Sequence, residues 1–280
     1  MPKPAVIAVN SHVARGSVGG RASVFALQRM GFPVWSVPTV LLPWHLGHGR
    51  ASRIAPDNAL FEALVADIAG AKWLSEVGGM LSGYFGSVDQ VASVADLAAA
   101  VKARNPGGLF LCDPILGDSH GRFQPEALVT AIRDRLMPVA DIATPNRYEL
   151  AWLTGMRIDS NDRLVAAARA LGPREVVVTS ALANPGKFGA LVVTRDEAHL
   201  VFHREIENAP HGTGDLFAAL YLGHRLKGAI PSDAMGRAVS AVVRLLEIAR
   251  DANADEMPLA EGQDAFAAPP LAEIVVAPFR

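Results

Sequence analysis

The chain has 280 residues, of which 50% are hydrophobic and 19% are charged, and its formal net charge is −2. This composition is typical of a protein with a folded core and argues against intrinsic disorder. Because the charge is near neutral and no basic cluster is present, the sequence gives no reason to expect nucleic acid as a partner. We therefore expect small-molecule partners.

Cys112 is the only cysteine, so the chain cannot form an internal disulfide or a metal site built from several cysteines. A single thiol favours a reducing compartment. The apolar stretch near the N-terminus is broken by Asn10 and His12 and is too short for a signal segment or a membrane span. The sequence therefore predicts a cytoplasmic protein that does not cross a membrane.

Short β-branched apolar runs alternate with segments of helical periodicity from residue 5 to residue 181. This pattern predicts strands at 5–10, 34–40, 78–84, 108–114, 140–145 and 175–181. It predicts helices at 21–30, 58–70, 88–104, near 161–171, and at 125–136 with Pro125 at the start. Since the alternation requires crossover connections, we expect an α/β fold with a mostly parallel sheet and helices on both faces.

The pattern changes after residue 187. Two strand-like runs, 188–195 and 197–205, flank a short charged link and predict an antiparallel hairpin at the edge of the sheet. Two helices follow, at about 214–227 and 232–251, and 252–270 is predicted to be a loose surface crossing because it is rich in Ala, Pro and acidic residues. "EIVVAP" (273–278) predicts a last strand. One domain over residues 1–280 is the simplest account, since no repeat or linker is found.

The segment "GTGD" (212–215) directly precedes an apolar helical run. Gly212 and Gly214 allow the backbone to approach a ligand, and the N–H groups at a helix start attract anions. Fixed amides of this kind stabilise a phosphoryl group in transfer, and Asp215 would be placed to take the proton of an attacking alcohol. The alternative is an ordinary glycine turn before a helix that starts with an aspartate.

Asp113 and Asp118 flank the short loop "PILG" after a predicted strand. Since ligands of parallel sheets lie beyond the carboxyl ends of the strands, and Mg²⁺ prefers oxygen ligands, this pair is a candidate metal site. Both aspartates are also ordinary turn residues. Glu149 falls in the first turn of a helix, where it either favours the helix dipole or reaches the metal through water.

The sequence contains no P-loop and no G-x-G-x-x-G dinucleotide fingerprint, so phosphate binding would have to use "GTGD". His45 and His48 have a spacing that zinc sites use, but no further cysteine or acidic residue lies nearby. The surrounding residues 43–56 are predicted to form a loop over a pocket.

Taken in order, several segments resemble those of the pyridoxal kinases, a family of the ribokinase-like superfamily: "NSHVARGSVG", "VWSVPTV", "MLSGYFG", "CDPILGD", "TPNRYEL", "VVVTSA" and "GTGD". The resemblance spans residues 5 to about 250. It implies a ribokinase-like three-layer sandwich and ATP-dependent phosphorylation of the 5′-hydroxymethyl group of pyridoxal, with pyridoxine and pyridoxamine as further candidates. The implied product is pyridoxal 5′-phosphate in vitamin B6 salvage, made by direct in-line transfer in a homodimeric enzyme.

The resemblance also implies roles for individual residues. Asp215 is the implied base, and Gly212, Thr213 and Gly214 form the implied anion hole for the γ-phosphate. The implied substrate contacts are Ser11, His45, Leu46, Tyr84, Phe123 and Asp215. The implied cofactors are ATP and Mg²⁺, with K⁺ or Na⁺ as a candidate third ion. The implied nucleotide contacts are Asp113, Asp118, Thr144, Asn146, Glu149, Thr179 and Ser180, with the three carboxylates also around the metal.

Three positions depart from the family pattern. Leu46 stands where a threonine is usual, Phe123 where some members have a tyrosine, and Gly20 where an asparagine is common. Since these positions lie in the substrate half, a hydroxymethylpyrimidine or a sugar is the alternative acceptor. A non-catalytic sensor of a vitamin or nucleotide is a second alternative, although the intact Asp215 argues against it.

Overall fold

The structure is a computed structural model that describes residues 3–270 and 275–279. Within these ranges a nine-stranded sheet is accompanied by a separate two-stranded hairpin. The strands of the main sheet are β1 (Ala5–Val13), β2 (Val34–Leu42), β3 (Val77–Ser82), β4 (Leu109–Cys112), β7 (Ile142–Ala143), β8 (Glu175–Ala181), β9 (Lys187–Thr194), β10 (Ala198–Arg204) and β11 (Val275–Pro278). The small hairpin consists of β5 (Gly117–Asp118) and β6 (Gly121–Arg122).

The main sheet has the strand order β11-β10-β9-β8-β7-β4-β3-β1-β2. The pairs from β2 to β8 are parallel, and the pairs β8–β9, β9–β10 and β10–β11 are antiparallel. The predicted mostly parallel sheet with an antiparallel hairpin is therefore confirmed. The hairpin lies one strand in from the edge, because β11 pairs with its outer side.

Helices cover both faces of the sheet and complete three layers. In chain order they are α1 (Gly20–Arg29), α2 (Asn58–Gly70), α3 (Val88–Arg104), α4 (Glu126–Ala131), α5 (Arg147–Thr154), α6 (Asn161–Ala170), α7 (Thr213–Leu226), α8 (Pro231–Asp251) and α9 (Leu259–Gly262). One buried apolar cluster joins the sheet to α2–α6, and a second joins it to α1, α7 and α8.

The strand β1 shows why its sequence is apolar throughout. Ile7 and Val9 belong to the cluster under α2–α6, whereas Val6 points into the cluster under α1 and α7. Because successive side chains of a strand alternate between faces, a strand covered on both sides needs a continuous apolar run. Because β1, β3 and β4 are neighbouring parallel strands, their carboxyl ends lie side by side.

Residues 252–270 differ from the predicted loose crossing. They form α9 and a 3₁₀ turn (Gln263–Phe266), and Met257 and Phe266 are buried. The Phe266 ring packs edge-to-face on Phe25, with ring centroids 6.1 Å apart. The prediction was wrong because it was based on the overall composition of the segment. The few apolar side chains between the Ala, Pro and acidic residues are buried against α1 and α8.

Three smaller differences concern element bounds. The predicted strand 140–145 is reduced to β7, and the predicted helix 125–136 changes from α4 to a π-helical turn at Ile132–Leu136. The last predicted strand is present as β11, while Glu273 and Ile274 lie outside the described residues. None of the helices in the described ranges has both the length and the apolar character that a membrane span requires.

Candidate active site

A cavity of about 390 Å³ lies at the carboxyl ends of β1 and β3, beside the N-terminus of α7. This is where an open parallel sheet places its ligand. Arg53 and His211 also line the cavity. All six predicted substrate contacts line it: Ser11, His45, Leu46, Tyr84, Phe123 and Asp215.

The first turn of α7 is shaped by Gly212. This residue is the N-cap, with a left-handed φ of 97°, and no side chain of the described residues caps the helix there. A Cβ at this position would lie 2.3 Å from the carbonyl oxygen of Ser17, so only glycine fits. The first amides of α7 are left for a ligand, as an anion-binding helix start requires.

A second, smaller cavity of about 120 Å³ is lined by Thr213 and Gly214, whereas the larger one is lined by Gly212 and Asp215. The first turn of α7 therefore contributes to both cavities. Thr179, from the end of β8, also lines the smaller cavity. The rings of Phe188 on β9 and His203 on β10 complete that side, with centroids 5.5 Å apart.

Asp215 is held by two hydrogen bonds from the β1 side of the site. Its Oδ1 accepts from Nδ2 of Asn10 at 2.9 Å, and the carboxylate also accepts from the backbone N–H of Gly19. Burial raises the pKa of Asp215, and the two hydrogen bonds oppose that rise. A carboxylate with a raised pKa is a stronger base than one in water, which suits proton abstraction.

Two further carboxyl groups lie behind the anion hole. Asp113 directly follows β4 and is 6% exposed. Burial raises the pKa of Asp113 well above its usual range, and the nearby Glu149 and Asp215 raise it further. Glu149 accepts backbone N–H bonds from Leu116 at 2.7 Å and from Asn146 at 2.8 Å. Burial nevertheless raises the pKa of Glu149 to about 7. A cation bound beside these two carboxyl groups would favour their ionised forms.

The three predicted metal ligands do not form a preformed coordination site. Among residues 3–270 and 275–279, no group of three or more His, Cys, Asp or Glu side chains is arranged to hold an ion. Asp118 is exposed on β5, lines the larger cavity and accepts the N–H of His120 at 2.7 Å. Because Mg²⁺ usually takes one or two carboxylates and completes its shell with water and phosphate, this arrangement is compatible with the predicted set.

The remaining predicted nucleotide contacts line neither cavity. Asn146 caps α5 and donates to the carbonyl of Gly117 at 2.7 Å, and Ser180 accepts the N–H of Arg147 at 2.9 Å. Both thus hold the loops around the site. Thr144 is buried, and its Oγ1 finds no hydrogen-bond partner among the described residues.

Three imidazoles meet at the mouth of the larger cavity. The rings of His45 and His211 are 4.1 Å apart, and His48 lies edge-on to both. Nε2 of His48 lies 3.1 Å from the carboxylate of Glu256. His45 lines the larger cavity. Glu256, the acidic neighbour of His48, lies more than 200 residues away in the chain, so the spacing of the histidines could not reveal it.

Sequence reasoning missed several residues of the site. Asn10 touches Asp215, and its place next to Ser11 was the only available signal. Ile115 lines the larger cavity with a φ of 44°, a strained conformation for a β-branched residue, which is typical of functional loops. His211 directly precedes "GTGD", so its proximity to the anion hole was readable from the sequence.

Comparisons with known proteins agree on one family. A family model described as phosphomethylpyrimidine kinase matches residues 77–260. A curated relative named pyridoxal kinase PdxY, from Corynebacterium diphtheriae, is 34% identical over 273 residues, which are 95% of this chain and 96% of the relative. A pyridoxine/pyridoxal/pyridoxamine kinase from Bordetella avium is 38% identical over 252 residues, covering 86% of this chain and 82% of that protein.

The solved structures give the same picture. Pyridoxal kinase from Leishmania donovani, in complex with ADP and pyridoxamine, is similar with a TM-score of 0.93 and 26% sequence identity. The similarity covers 99% of this chain and 100% of that one. The same kinase has also been solved with ADP and pyridoxine, at a TM-score of 0.92.

Proposed function

This chain belongs to the phosphomethylpyrimidine kinase family and, with its curated relatives, to the pyridoxal kinases, and we propose that it phosphorylates pyridoxal with ATP. The proposed acceptor is the 5′-hydroxymethyl group, and the product is pyridoxal 5′-phosphate for vitamin B6 salvage. Pyridoxine and pyridoxamine are proposed as further substrates, because relatives carry all three vitamers in their names or complexes.

The observation that carries this proposal is the position of α7 between two cavities. The vitamer is proposed to occupy the larger cavity beside Asp215, and the nucleotide to lie on the side of Thr213 and Gly214. An acceptor hydroxyl and a γ-phosphate then meet at one helix turn. Such alignment of two reactants supplies a large part of the rate in phosphoryl transfer.

The proposed reaction is a single in-line displacement. The Asp215 carboxylate takes the proton of the hydroxyl as the oxygen attacks the γ-phosphorus, and the bond to ADP breaks on the opposite side. The amides of Gly212, Thr213 and Gly214 donate to the charge that builds up on the phosphoryl oxygens. The side chains that line the larger cavity, including Tyr84 and Phe123, exclude water and hold the ring.

Mg²⁺ is proposed to be held by Asp113, with Asp118 and Glu149 contributing directly or through water. The placement of Asp113 and Glu149 supports this: burial raises the pKa of both carboxyl groups, and a cation bound between them would favour their ionised forms. When bound, Mg²⁺ would neutralise charge on the ATP phosphates. The nucleotide contacts at Thr144, Asn146, Thr179 and Ser180, and a requirement for K⁺ or Na⁺, stay predictions.

The test is turnover by the purified protein and by Asp215→Asn. We expect ATP-dependent formation of the phosphorylated vitamer, seen by absorbance and coupled to ADP release. The Asn variant should lose roughly two to four orders of magnitude in kcat because the general base is gone, with little change in ATP binding. Normal turnover by Asp215→Asn would show that another group is the base.

A hydroxymethylpyrimidine acceptor is the second candidate. It is favoured by Leu46, which lines the larger cavity where the family usually has a threonine, and by the match to the phosphomethylpyrimidine kinase model. Parallel kcat/KM measurements with the three vitamers, a hydroxymethylpyrimidine and a sugar decide between them. The proposal for pyridoxal fails if another alcohol has the highest kcat/KM.

A homodimer and a cytoplasmic location complete the proposal. The dimer is supported by exposed apolar side chains near the β2 edge of the sheet, including Ile54 and Leu60. The location is supported by the single cysteine, Cys112, which is buried and carries a free thiol.

A further inference from the structure

The side chain of Asn10 is fixed by three hydrogen bonds. Its Oδ1 accepts the backbone N–H groups of Ser11 at 2.8 Å and Tyr84 at 2.9 Å, and its Nδ2 donates to Oδ1 of Asp215 at 2.9 Å. Since two of the partners can only donate, the amide oxygen must face them. The NH₂ group is therefore turned toward Asp215, and Asn10 itself is 3% exposed.

The strand ends around Asn10 are built to hold this amide. The pairing of β1 with β2 shifts register between Asn10 and His12, and such a bulge re-aims the side chains beside it. Gly83, just after β3, lies directly against the amide: a Cβ there would be 2.4 Å from Nδ2 of Asn10. Position 83 therefore admits no side chain while Asn10 keeps its contacts.

We propose that Asn10 is a positioning residue that orients the Asp215 carboxylate toward the acceptor hydroxyl, with Gly83 providing the space that its amide needs. The inference rests on the proposed function, in which Asp215 is the base. One amide thereby links the base on α7 to Ser11 and Tyr84, both on the substrate side of the larger cavity. A donor fixed in this way holds Oδ1 of the carboxylate in one orientation.

The electrostatic surroundings of Asp215 agree with this role. Burial raises the pKa of Asp215. The N–H groups of Asn10 and Gly19 oppose that rise. Without the donor of Asn10, the ionised base would be less favoured and less well oriented.

Asn10→Asp tests the proposal, because it keeps the shape and one acceptor oxygen but replaces the donor by a second carboxylate. Two carboxylates at hydrogen-bond distance share a proton. The acidic limb of the pH profile of kcat/KM should therefore shift to higher pH by about one unit or more. We expect kcat at pH 7 to fall by about tenfold to a hundredfold and to recover partly at higher pH. The KM for ATP should stay within about threefold of the wild-type value.

Asn105→Asp is the matched control. Asn105 donates to the carbonyl of Val77 at 3.2 Å, at the opposite end of β3, so the same charge change is made far from the site. Its pH profile should follow that of the wild type. If the acid limb of Asn10→Asp also coincides with the wild-type limb, the positioning role is refuted.

Two further measurements keep the inference testable. If Asn10→Asp does not fold, Gly83→Ala displaces the amide without adding charge and should also lower kcat more than it changes the KM for ATP; equal kcat would refute the role. The carboxyl ¹³C shift of Asp215, assigned with Asp215→Asn, reports its pKa without turnover. An unchanged titration in Asn10→Asp overturns this inference, whereas failure of the wild type to phosphorylate any vitamer overturns the proposed function alone.

Discussion

Gly212 and Gly214 look equivalent in the sequence, but the structure gives them different constraints. Gly212 has a φ of 97° and packs against the carbonyl oxygen of Ser17. A Cβ at Gly214 would meet no atom within 4 Å, and this residue lies open to the smaller cavity. Only the first glycine is therefore required by the fold, whereas the second leaves room for a ligand.

Gly212→Ala should consequently lower both stability and activity. A side chain at this φ, in contact with a backbone oxygen, is expected to cost about 1–3 kcal/mol in the free energy of unfolding. The anion hole shifts with it, so kcat should fall as well. Urea unfolding and steady-state kinetics measure the two effects.

Gly214→Ala is the control for stability, since its Cβ meets open space. Its free energy of unfolding should be equal to or above the wild-type value, because alanine favours the helix. Equal losses in the two variants would show that the left-handed turn at Gly212 is not the constraint.

At the scale of elements, the loop that carries His45 and His48 is held over the larger cavity by contacts that need a neutral imidazole. Nδ1 of His45 accepts the N–H of Gly47 at 3.1 Å, so this nitrogen must be unprotonated. Burial, and then His211 and His48, lower the pKa of His45, while Glu256 opposes them. Arg15 also faces Glu256, at 3.3 Å.

The Gly47 contact should therefore be lost in acid. A histidine with a lowered pKa in the folded state contributes stability above its unfolded pKa, and this contribution disappears as the pH falls through the folded value. The ¹⁵N shift of the Gly47 amide, followed against pH, reports the change. His211→Gln removes an imidazole that lowers the pKa of His45, so the midpoint should move to higher pH.

His199→Gln is the matched control for this titration, because His199 lies on β10 and is not in contact with the three imidazoles. Its midpoint should equal that of the wild type. A midpoint that stays constant in His211→Gln would show that His211 does not act on His45.

For the whole molecule, the two ends of the sheet differ. The β11 end closes with antiparallel strands, whereas β2 is the edge strand at the other end and meets only a single antiparallel bridge, between Leu41 and Ile54, among the described residues. Near it, Leu60 and Leu64 lie one turn apart on α2 and are 70% and 46% exposed. Neighbouring apolar side chains on a surface typically mark a contact with another protein, which agrees with the proposed homodimer.

Leu60→Glu should weaken that dimer, because it places a charge in an apolar contact. Sedimentation velocity should show a dimer for the wild type and a larger monomer fraction for the variant. Ile230→Glu is the control, since Ile230 is similarly exposed, at 64%, but precedes α8 on the other face of the sheet. A wild-type monomer at micromolar concentration would contradict the proposed assembly.

The sequence by itself determined the order and type of nearly all elements, the parallel sheet and the helix start at "GTGD". These features are local: periodicity 2 or 3.6, β-branched runs and glycines beside an acidic residue can be read within a short window. It also predicted that Ser11 and Tyr84 lie close together, because the carboxyl ends of parallel strands meet at one edge, and both line the larger cavity. The local pattern was too weak to predict the short length of β7 or the burial of Phe266.

Only the tertiary structure decided which groups face each other. Asn10 and Asp215 are 205 residues apart, and their hydrogen bond depends on a bulge in β1 and on the packing of α1 against α7. The same packing divides the first turn of α7 between two cavities and brings His211 onto His45. Such contacts follow from the register of strands and the close packing of side chains, which no local pattern encodes.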